Sequence, residues 1–344
     1  MGQPSHHIEE WRPYQVLVRP NFDAASGIER FSGRLLERNR PRAFPVEIHD
    51  HVRNAEACDH FMKTPVTVIV LTFNESVNIA ECLNSVAWAD DIIVVDSGST
   101  DDTIALAQYV RPDVRVFTHP FLDFGDQRNW SLDNTQPKHD WILFVDADEF
   151  CTPELAEEMG RFIQNPGNAV GAYIKARNYF LGRWLKHSAL YPSYQLRLLK
   201  RGEVRYRKEG HGQREVTDGK LIYLKEWWRH EPLSKGLHQW VARHNEYTSA
   251  EQDLIEALAS ELVRMGDLMK GPVARRRCLK RIAARYPWLR LFVFVYLYVV
   301  RLGFLDGLPG FLFCLLRLSN EIHVVAKRYE RRRGQSTSHQ GLST

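Results

Sequence analysis

At 344 residues the chain is long enough to bury a sizeable core in one large domain or two smaller ones. Its apolar (44%) and charged (26%) fractions are those of an ordinary globular protein, not of a disordered or fibrous one. The net charge of +4 conceals an asymmetry: residues 271–333 hold 14 Lys/Arg against 3 Asp/Glu, so the rest of the chain is net acidic. A tail this basic points to an anionic partner, either membrane or nucleic acid.

Residues 1–63 are polar, broken by Pro13, Pro20, Pro41 and Pro45, and read as an N-terminal extension without a chemical motif. No apolar signal-peptide core precedes them. The five cysteines (Cys58, Cys82, Cys151, Cys278, Cys314) form no C-x-x-C pair, which fits a reducing compartment, and the expected location is cytoplasmic.

From Pro65 the pattern sharpens. Val66–Phe73 is a β-rich apolar run, and Asn74-Glu75-Ser76 opens a helix with Ile79, Leu83 and Val86 on one face. Asp91–Val95 is a buried strand ending in Asp96-Ser97-Gly98-Ser99-Thr100-Asp101, where Gly98 permits a tight turn and Ser99, Thr100 and Asp101 are competent caps for a helix to about Val110. Val114–Phe117 is a third strand, and a short helix carries Gln127-Arg128-Asn129-Trp130. Trp141–Val145 is a central strand that runs into Asp146-Ala147-Asp148-Glu149. Thr152 then caps a helix with Pro153 at its first position.

This β-α-β-α-β rhythm predicts an α/β fold with a mostly parallel sheet and right-handed crossovers. Carboxylates at the C-terminal end of a parallel strand lie where open α/β sheets bind ligands, and Asp-x-Asp there can hold a divalent cation. The bland alternative is an acidic turn capping the next helix. Neither G-x-G-x-x-G nor G-K-[ST] is present, so dinucleotide and P-loop chemistry lose their support.

Beyond residue 170 the strands Ala172–Phe180, Tyr194–Lys200, Val204–Arg207 and Lys220–Leu224 are less apolar, and a helix follows from about Ser234 to Met265. Its Trp240, His244 and Tyr247 suit either sugar stacking or plain core contact. Two apolar runs follow, Leu289–Val300 and Leu302–Leu318, interrupted by Arg290 and by Asp306, Gly307, Pro309 and Arg317. Neither reaches the roughly 20 clean apolar residues of a spanning helix. With Arg275–Arg277, Lys280, Arg281 and Arg331–Arg333 around them, they read as interfacial helices on an anionic membrane, or equally as a buried hairpin or an oligomer interface. Basic residues interleaved with aliphatic runs make nucleic-acid binding the weaker choice.

Four motifs, Thr72-Phe73-Asn74-Glu75, Asp96-Ser97-Gly98-Ser99-Thr100-Asp101, Gln127-Arg128-Asn129 and Asp146-Ala147-Asp148-Glu149, stand in the order and spacing of family 2 glycosyltransferases. The chain resembles that family over about residues 65–150, most closely its bacterial lipopolysaccharide core and exopolysaccharide enzymes, and resembles it more weakly over 170–260. The resemblance implies a GT-A (Rossmann-like) domain over 64–270, with helices on both sheet faces, a nucleotide half at about 65–150 and an acceptor half at about 170–260. A basic, apolar helical region (271–333) and a disordered tail (334–344) complete the expected organisation.

The activity implied is inverting transfer of a sugar from a nucleotide-diphosphate donor, of UDP type, to a hydroxyl of a lipid-linked glycan, with Mg or Mn as cofactor. Asp96 would meet the base, and Thr72, Asn74, Glu75, Ser97, Gly98 and Asp101 would line the nucleotide pocket. Asp148 would be the metal ligand, with Asp146 beside it or nearer the ribose. Arg128 would reach a phosphate, and Arg197 is either a diphosphate contact or a structural ion pair. The general base is expected in Lys208-Glu209-Gly210-His211-Gly212-Gln213-Arg214-Glu215, where the family's adjacent His-Glu is absent. Glu215 ranks first, then His211, then Glu209. The enzyme would sit peripherally on the inner face of the cell membrane. Transfer to a polyprenyl phosphate is the alternative chemistry, and a non-catalytic membrane scaffold the alternative of another class.

Overall fold

The computed structural model describes residues 63–340, apart from 211, 264, 265, 267, 268, 270 and 271. The extension read over 1–63 lies outside them except for Lys63, and so does His211. The nucleotide half alternates as its sequence dictates: β1 (Thr64–Thr72), α1 (Ile79–Ser85), β2 (Ala89–Asp96), α2 (Thr103–Val110), β3 (Arg115–Thr118), α3 (Phe124–Asn134) and β4 (Trp141–Asp146). Its strands lie parallel in the order β3-β2-β1-β4. Register sets Thr72 opposite Asp96 and Leu71 opposite Asp146, so the motif residues share one sheet edge.

The acceptor half follows with β5 (Glu149–Cys151), α4 (Pro153–Gln164), β6 (Ala169–Phe180), β7 (Arg183–Trp184), β8 (Ser193–Lys200), β9 (Arg205–Glu209), β10 (Gly212–Val216) and β11 (Lys220–His230). Here the sheet becomes mixed. β8 is antiparallel to both β4 and β6, β11 is parallel to β6, and β5 closes the edge antiparallel to β11. The nucleotide half is all parallel, whereas in the second half the β6–β11 pair is parallel and the other neighbours are antiparallel, as short connections allow. β9 and β10 form a separate hairpin.

Period-two alternation divides the central strands between two cores. Val66, Val68, Val70, Leu143 and Val145 face α1, α2 and α4, whereas Ile69, Ile93, Ile142 and Phe144 face Leu132 of α3 and Tyr206 of the hairpin. Each fully buried side chain of this size contributes roughly 1.5–3 kcal/mol. Such two-sided burial is why these strands read as continuous apolar runs.

Three boundaries moved. Asn74 takes a left-handed φ of 53°, so residues 74–78 form a turn and α1 begins at Ile79 instead of at the Asn-Glu-Ser stretch. β11 runs to His230 through a register shift between Tyr223 and Trp227, past the point where charged residues hid its alternation. The helix expected from Ser234 is α5 (Leu237–Ser260).

Thr152 caps α4 as expected: its hydroxyl accepts from Leu155 N–H (3.3 Å) and donates to the Trp227 carbonyl (2.9 Å), tying α4 to β11. We expect Thr152→Ala to lower unfolding free energy by about 1–2 kcal/mol, read as a shifted urea midpoint at unchanged slope.

The C-terminal region comprises α6 (Pro272–Arg285), short helical segments within 287–306, and α7 (Gly307–Gln340). α7 packs Leu312, Phe313 and Leu316 on Phe180, Leu185 and Ala189, and Val324 on Ile255 and Ala284. By length and composition the stretch Gly303–Arg333 suffices to cross a membrane. Counting uninterrupted apolar runs missed this, because the helix absorbs Arg317 and runs on. Cys278–Arg285 and Pro287–Val300 meet at 115°. Trp288, Phe292, Val299, Val300, Phe304 and Leu308 are all exposed.

Candidate active site

At the C-terminal edge of β4 a chain of buried ions begins. Asp146 accepts from Arg128 Nη2 through Oδ1 (2.9 Å) and from Arg197 Nη2 through Oδ2 (2.6 Å). Arg197 also donates to Glu149 Oε1 (2.8 Å), and Glu149 Oε2 accepts the Asp146 backbone N–H (3.1 Å). Arg128 continues to Gln213 Oε1 (3.0 Å) on β10 and lies over the rings of Phe144 and Tyr206. Both arginines are 2% exposed. Burial would raise the Asp146 carboxyl, but Arg197 and Arg128 outweigh it and hold the group well below its ordinary range. Burial dominates at Glu149 and pushes it up to about 7.

Arg128, expected on a phosphate, is ion-paired with Asp146 here, and Arg197 is ion-paired with both Asp146 and Glu149. Asp146, expected also as a metal ligand, has each carboxylate oxygen engaged by a guanidinium.

Asp148 is different. It lies in the turn between β4 and β5, 8% exposed, with Oδ2 at 3.6 Å from His230 Nε2. His230 Nδ1 meets Asn178 Oδ1 at 2.6 Å, so it carries the proton and donates it, leaving Nε2 towards Asp148. A carboxylate oxygen facing an imidazole nitrogen favours a positive species there, a proton on the ring or a cation. Burial works to lower the His230 pKa, but Asp148 outweighs it and raises it. This pair, one carboxylate oxygen and one imidazole nitrogen, fits a divalent cation whose other positions go to oxygen ligands and water. Among the described residues no group of three or more His, Cys, Asp or Glu could hold a metal by itself.

The expected nucleotide loop is assembled at the neighbouring edge. Asp96 Oδ1 accepts from Thr72 Oγ1 (2.9 Å) and Ser99 Oγ (2.5 Å), and its Oδ2 from Gly98 N–H (2.9 Å) and Ser99 N–H (2.8 Å). Gly98, at φ 89°, makes that turn possible. Asn74 Oδ1 accepts from Thr100 N–H (2.8 Å), Asp101 accepts from Thr103 N–H (3.1 Å) and from Ser76 N–H (3.2 Å), and Ser97 Oγ accepts from Gln127 Nε2 (3.2 Å). Glu75 is buried, held by Lys235 Nζ (2.6 Å) and Asn78 Nδ2 (2.7 Å); burial and then Asp148 raise its pKa. The structure brings these residues together, and Asp96 and Asp101 serve as loop and cap acceptors within them.

Of the candidate bases, Glu215 and Glu209 are separated by hairpin register. Glu215 pairs with Tyr206 and shares a face with Gln213, the face turned to Arg128, and it accepts from Tyr173 Oη at 2.5 Å. Glu209 occupies the other face beside Arg214 (3.7 Å), so it is not brought to the network. His211 lies outside the described residues. Sequence reasoning looked for the His-Glu pair in this hairpin and missed His230-Glu231 at the end of β11, where Glu231 N–H bonds the Asp148 carbonyl (3.0 Å). That dipeptide was the available signal. Trp240 is 3% exposed with His244 stacked on it at 3.6 Å, a packing contact.

The sequence profile described as glycosyl transferase family 2 matches residues 67–227, from β1 to the middle of β11. A Rhizobium meliloti (strain 1021) protein named lipopolysaccharide core biosynthesis glycosyltransferase LpsC is 30% identical over 148 residues, 42% of this chain and 54% of that protein. An uncharacterized glycosyltransferase of Rickettsia felis is 38% identical over 95 residues, 27% of this chain and 32% of that one. The chain thus spans about half, or less, of the length of these relatives. Among solved structures, S. aureus TarS 1–349 overlaps 79% of this chain and 92% of its own at 16% identity and a TM-score of 0.39, too loose a superposition to transfer any residue's role. The matched stretch contains the parallel half, the buried ion network and Asp148, and it is residues 67–227 that match glycosyltransferase family 2, a GT-A fold.

Proposed function

We propose that the protein transfers a sugar, with inversion, from a nucleoside-diphosphate donor of UDP type to a hydroxyl of a lipid-linked glycan in lipopolysaccharide biosynthesis. The observation that carries this reading is the Asp148–His230 pair set beside the nucleotide loop at the C-terminal edge of the parallel strands. The name of LpsC, a relative at 30% identity, supports the glycan class. In this reading the protein works on the inner face of the cell membrane, with the apolar C-terminal region towards the lipid.

Asp148 and His230 would hold Mg or Mn. When bound, the cation neutralises charge developing on the leaving diphosphate. Asn178 fixes the His230 ring. Arg128 and Arg197 keep Asp146 ionised and immobile, which fixes the turn that carries Asp148. Glu215 takes the proton of the acceptor hydroxyl; the oxygen attacks the anomeric carbon, and the diphosphate departs with the bonding electrons. The Tyr173 hydrogen bond occupies one Glu215 oxygen and orients the other.

Calorimetric titration with UDP, GDP and ADP, each with and without Mn, tests the donor site. Tight binding of one diphosphate only with metal is expected. Absence of binding to all three overturns the reading and favours a scaffold.

A further inference from the structure

The loop between β7 and β8 meets the turn after Val300 around a cavity of about 300 Å³, lined by Lys186, His187, Tyr191, Val300, Arg301 and Leu302. None of the residues of the carboxylate site lines it. Two of the six lining side chains are cationic and a third becomes so on protonation, and no carboxylate is among them.

Asp306 builds this place. Its Oδ1 accepts the Lys186 N–H (3.2 Å), and its Oδ2 accepts the N–H groups of His187 (3.0 Å) and Ser188 (2.8 Å) and the Ser188 hydroxyl (2.7 Å). The nearby negative charge is thereby buried against the backbone, while the Lys186 side chain is left exposed and that of His187 half-buried. Arg301 is anchored by Nη2 on the Tyr191 carbonyl (3.1 Å), yet its buried Nε has no hydrogen-bond partner. A buried donor without an acceptor is destabilising until one arrives, and a cationic donor calls for an anion.

The rim identifies the anion's carrier. Val300 is 65% exposed and Leu302 45%, and Val299, Phe304, Leu305 and Leu308 continue the apolar surface. A free anion leaves such a rim in water; a phosphate esterified to a hydrophobic tail covers it.

We propose that this cavity binds the phosphate ester of a membrane lipid, with Lys186, His187 and Arg301 around the phosphate and the 299–308 rim in the apolar layer. The phosphate is held here and not glycosylated. The site is tied to the candidate centre: Leu185 N–H bonds the Asn178 carbonyl (2.9 Å), and the Asn178 side chain holds His230. Bulk anionic phospholipid and a phosphorylated glycolipid acceptor share this chemistry. The inference deepens the proposed function, resting on that reading only where the lipid is the acceptor.

Flotation of the full chain tests it, using phosphatidylcholine vesicles doped with phosphatidic acid, with lipid A, or with oleate at matched charge. Lys186→Gln/His187→Gln is the main variant, because backbone groups of these residues, not their side chains, hold Asp306. We expect its partitioning onto phosphate-bearing vesicles to fall roughly tenfold, with oleate vesicles unaffected. Arg301→Gln should reduce it further. A loss on lipid A alone assigns the acceptor, and a loss on phosphatidic acid as well assigns bulk phospholipid. Unchanged flotation, an equal loss on oleate, or displacement by millimolar inorganic phosphate overturns the proposal. Nucleotide titration of wild type and variant separates the two readings: if wild type binds no diphosphate but flotation behaves as expected, only the transfer reading falls.

Discussion

Asp148→Asn will lose manganese-dependent nucleotide binding and at least roughly 100-fold in transfer rate while remaining folded. The side chains are isosteric, and the backbone contact that positions the turn, Glu231 N–H to the Asp148 carbonyl, is untouched. What changes is the charge facing His230 Nε2 at 3.6 Å. An amide neither binds a divalent cation strongly nor stabilises an imidazolium, so both positive species that this geometry accommodates are lost. Removing Asn178, which only orients the ring, should act in the same direction with a smaller loss of about 10-fold in metal affinity. Calorimetry with UDP and Mn and a thermal melt decide the matter together. Wild-type affinity in Asp148→Asn removes the metal assignment; a collapsed melt would show that Asp148 is structural instead.

Arg197→Met should destabilise the fold by about 3–5 kcal/mol, because it strips the shared partner from Asp146 and Glu149 without removing their charges. Glu149 is 2% exposed and cannot recover solvation. The pH dependence follows from linkage. Burial already raises the Glu149 pKa from 4.5 to about 7, so the folded state binds more protons than the unfolded state between those values. Its contribution is therefore most favourable at low pH and weakens as pH rises towards 7. Without Arg197 the carboxyl is driven higher still, and the variant's deficit should be largest above neutrality and shrink as pH falls. Asp146 behaves oppositely: its lowered pKa stabilises above 3.8 and is lost as pH falls through the depressed value. Adding Glu149→Gln should restore part of the loss at neutral pH. Urea titrations of both variants across pH are the check, and an Arg197→Met protein as stable as wild type at alkaline pH would rule out this account.

The limits of legibility lie in particular residues. Strands β1, β2 and β4 were readable because each is an apolar run buried on both faces, and Gly98 announces the turn that closes β2. Arg128 was not readable in the same way. Whether it meets a phosphate or an aspartate depends on β4 lying beside α3 and on Gln213 arriving from a hairpin far along the chain. The choice between Glu209 and Glu215 depended on one residue of register, which reverses the face of every side chain. His230 stood out only as a polar neighbour of Trp227 and Trp228, because the charged residues of β11 masked a strand whose central Trp228 is 1% exposed.

By itself, the sequence determined the α/β alternation, the parallel core and the family, and singled out Asp148 as a candidate, since apolar periodicity, turn chemistry and adjacent carboxylates act over a few residues. Only the tertiary structure decided that Asp146 belongs to two arginines, that Asp148 faces His230, and that Asp306 draws a cationic loop against an apolar rim. Those outcomes depend on charges brought together across long stretches of chain, where burial makes each pairing strong and its partner unreadable from local order.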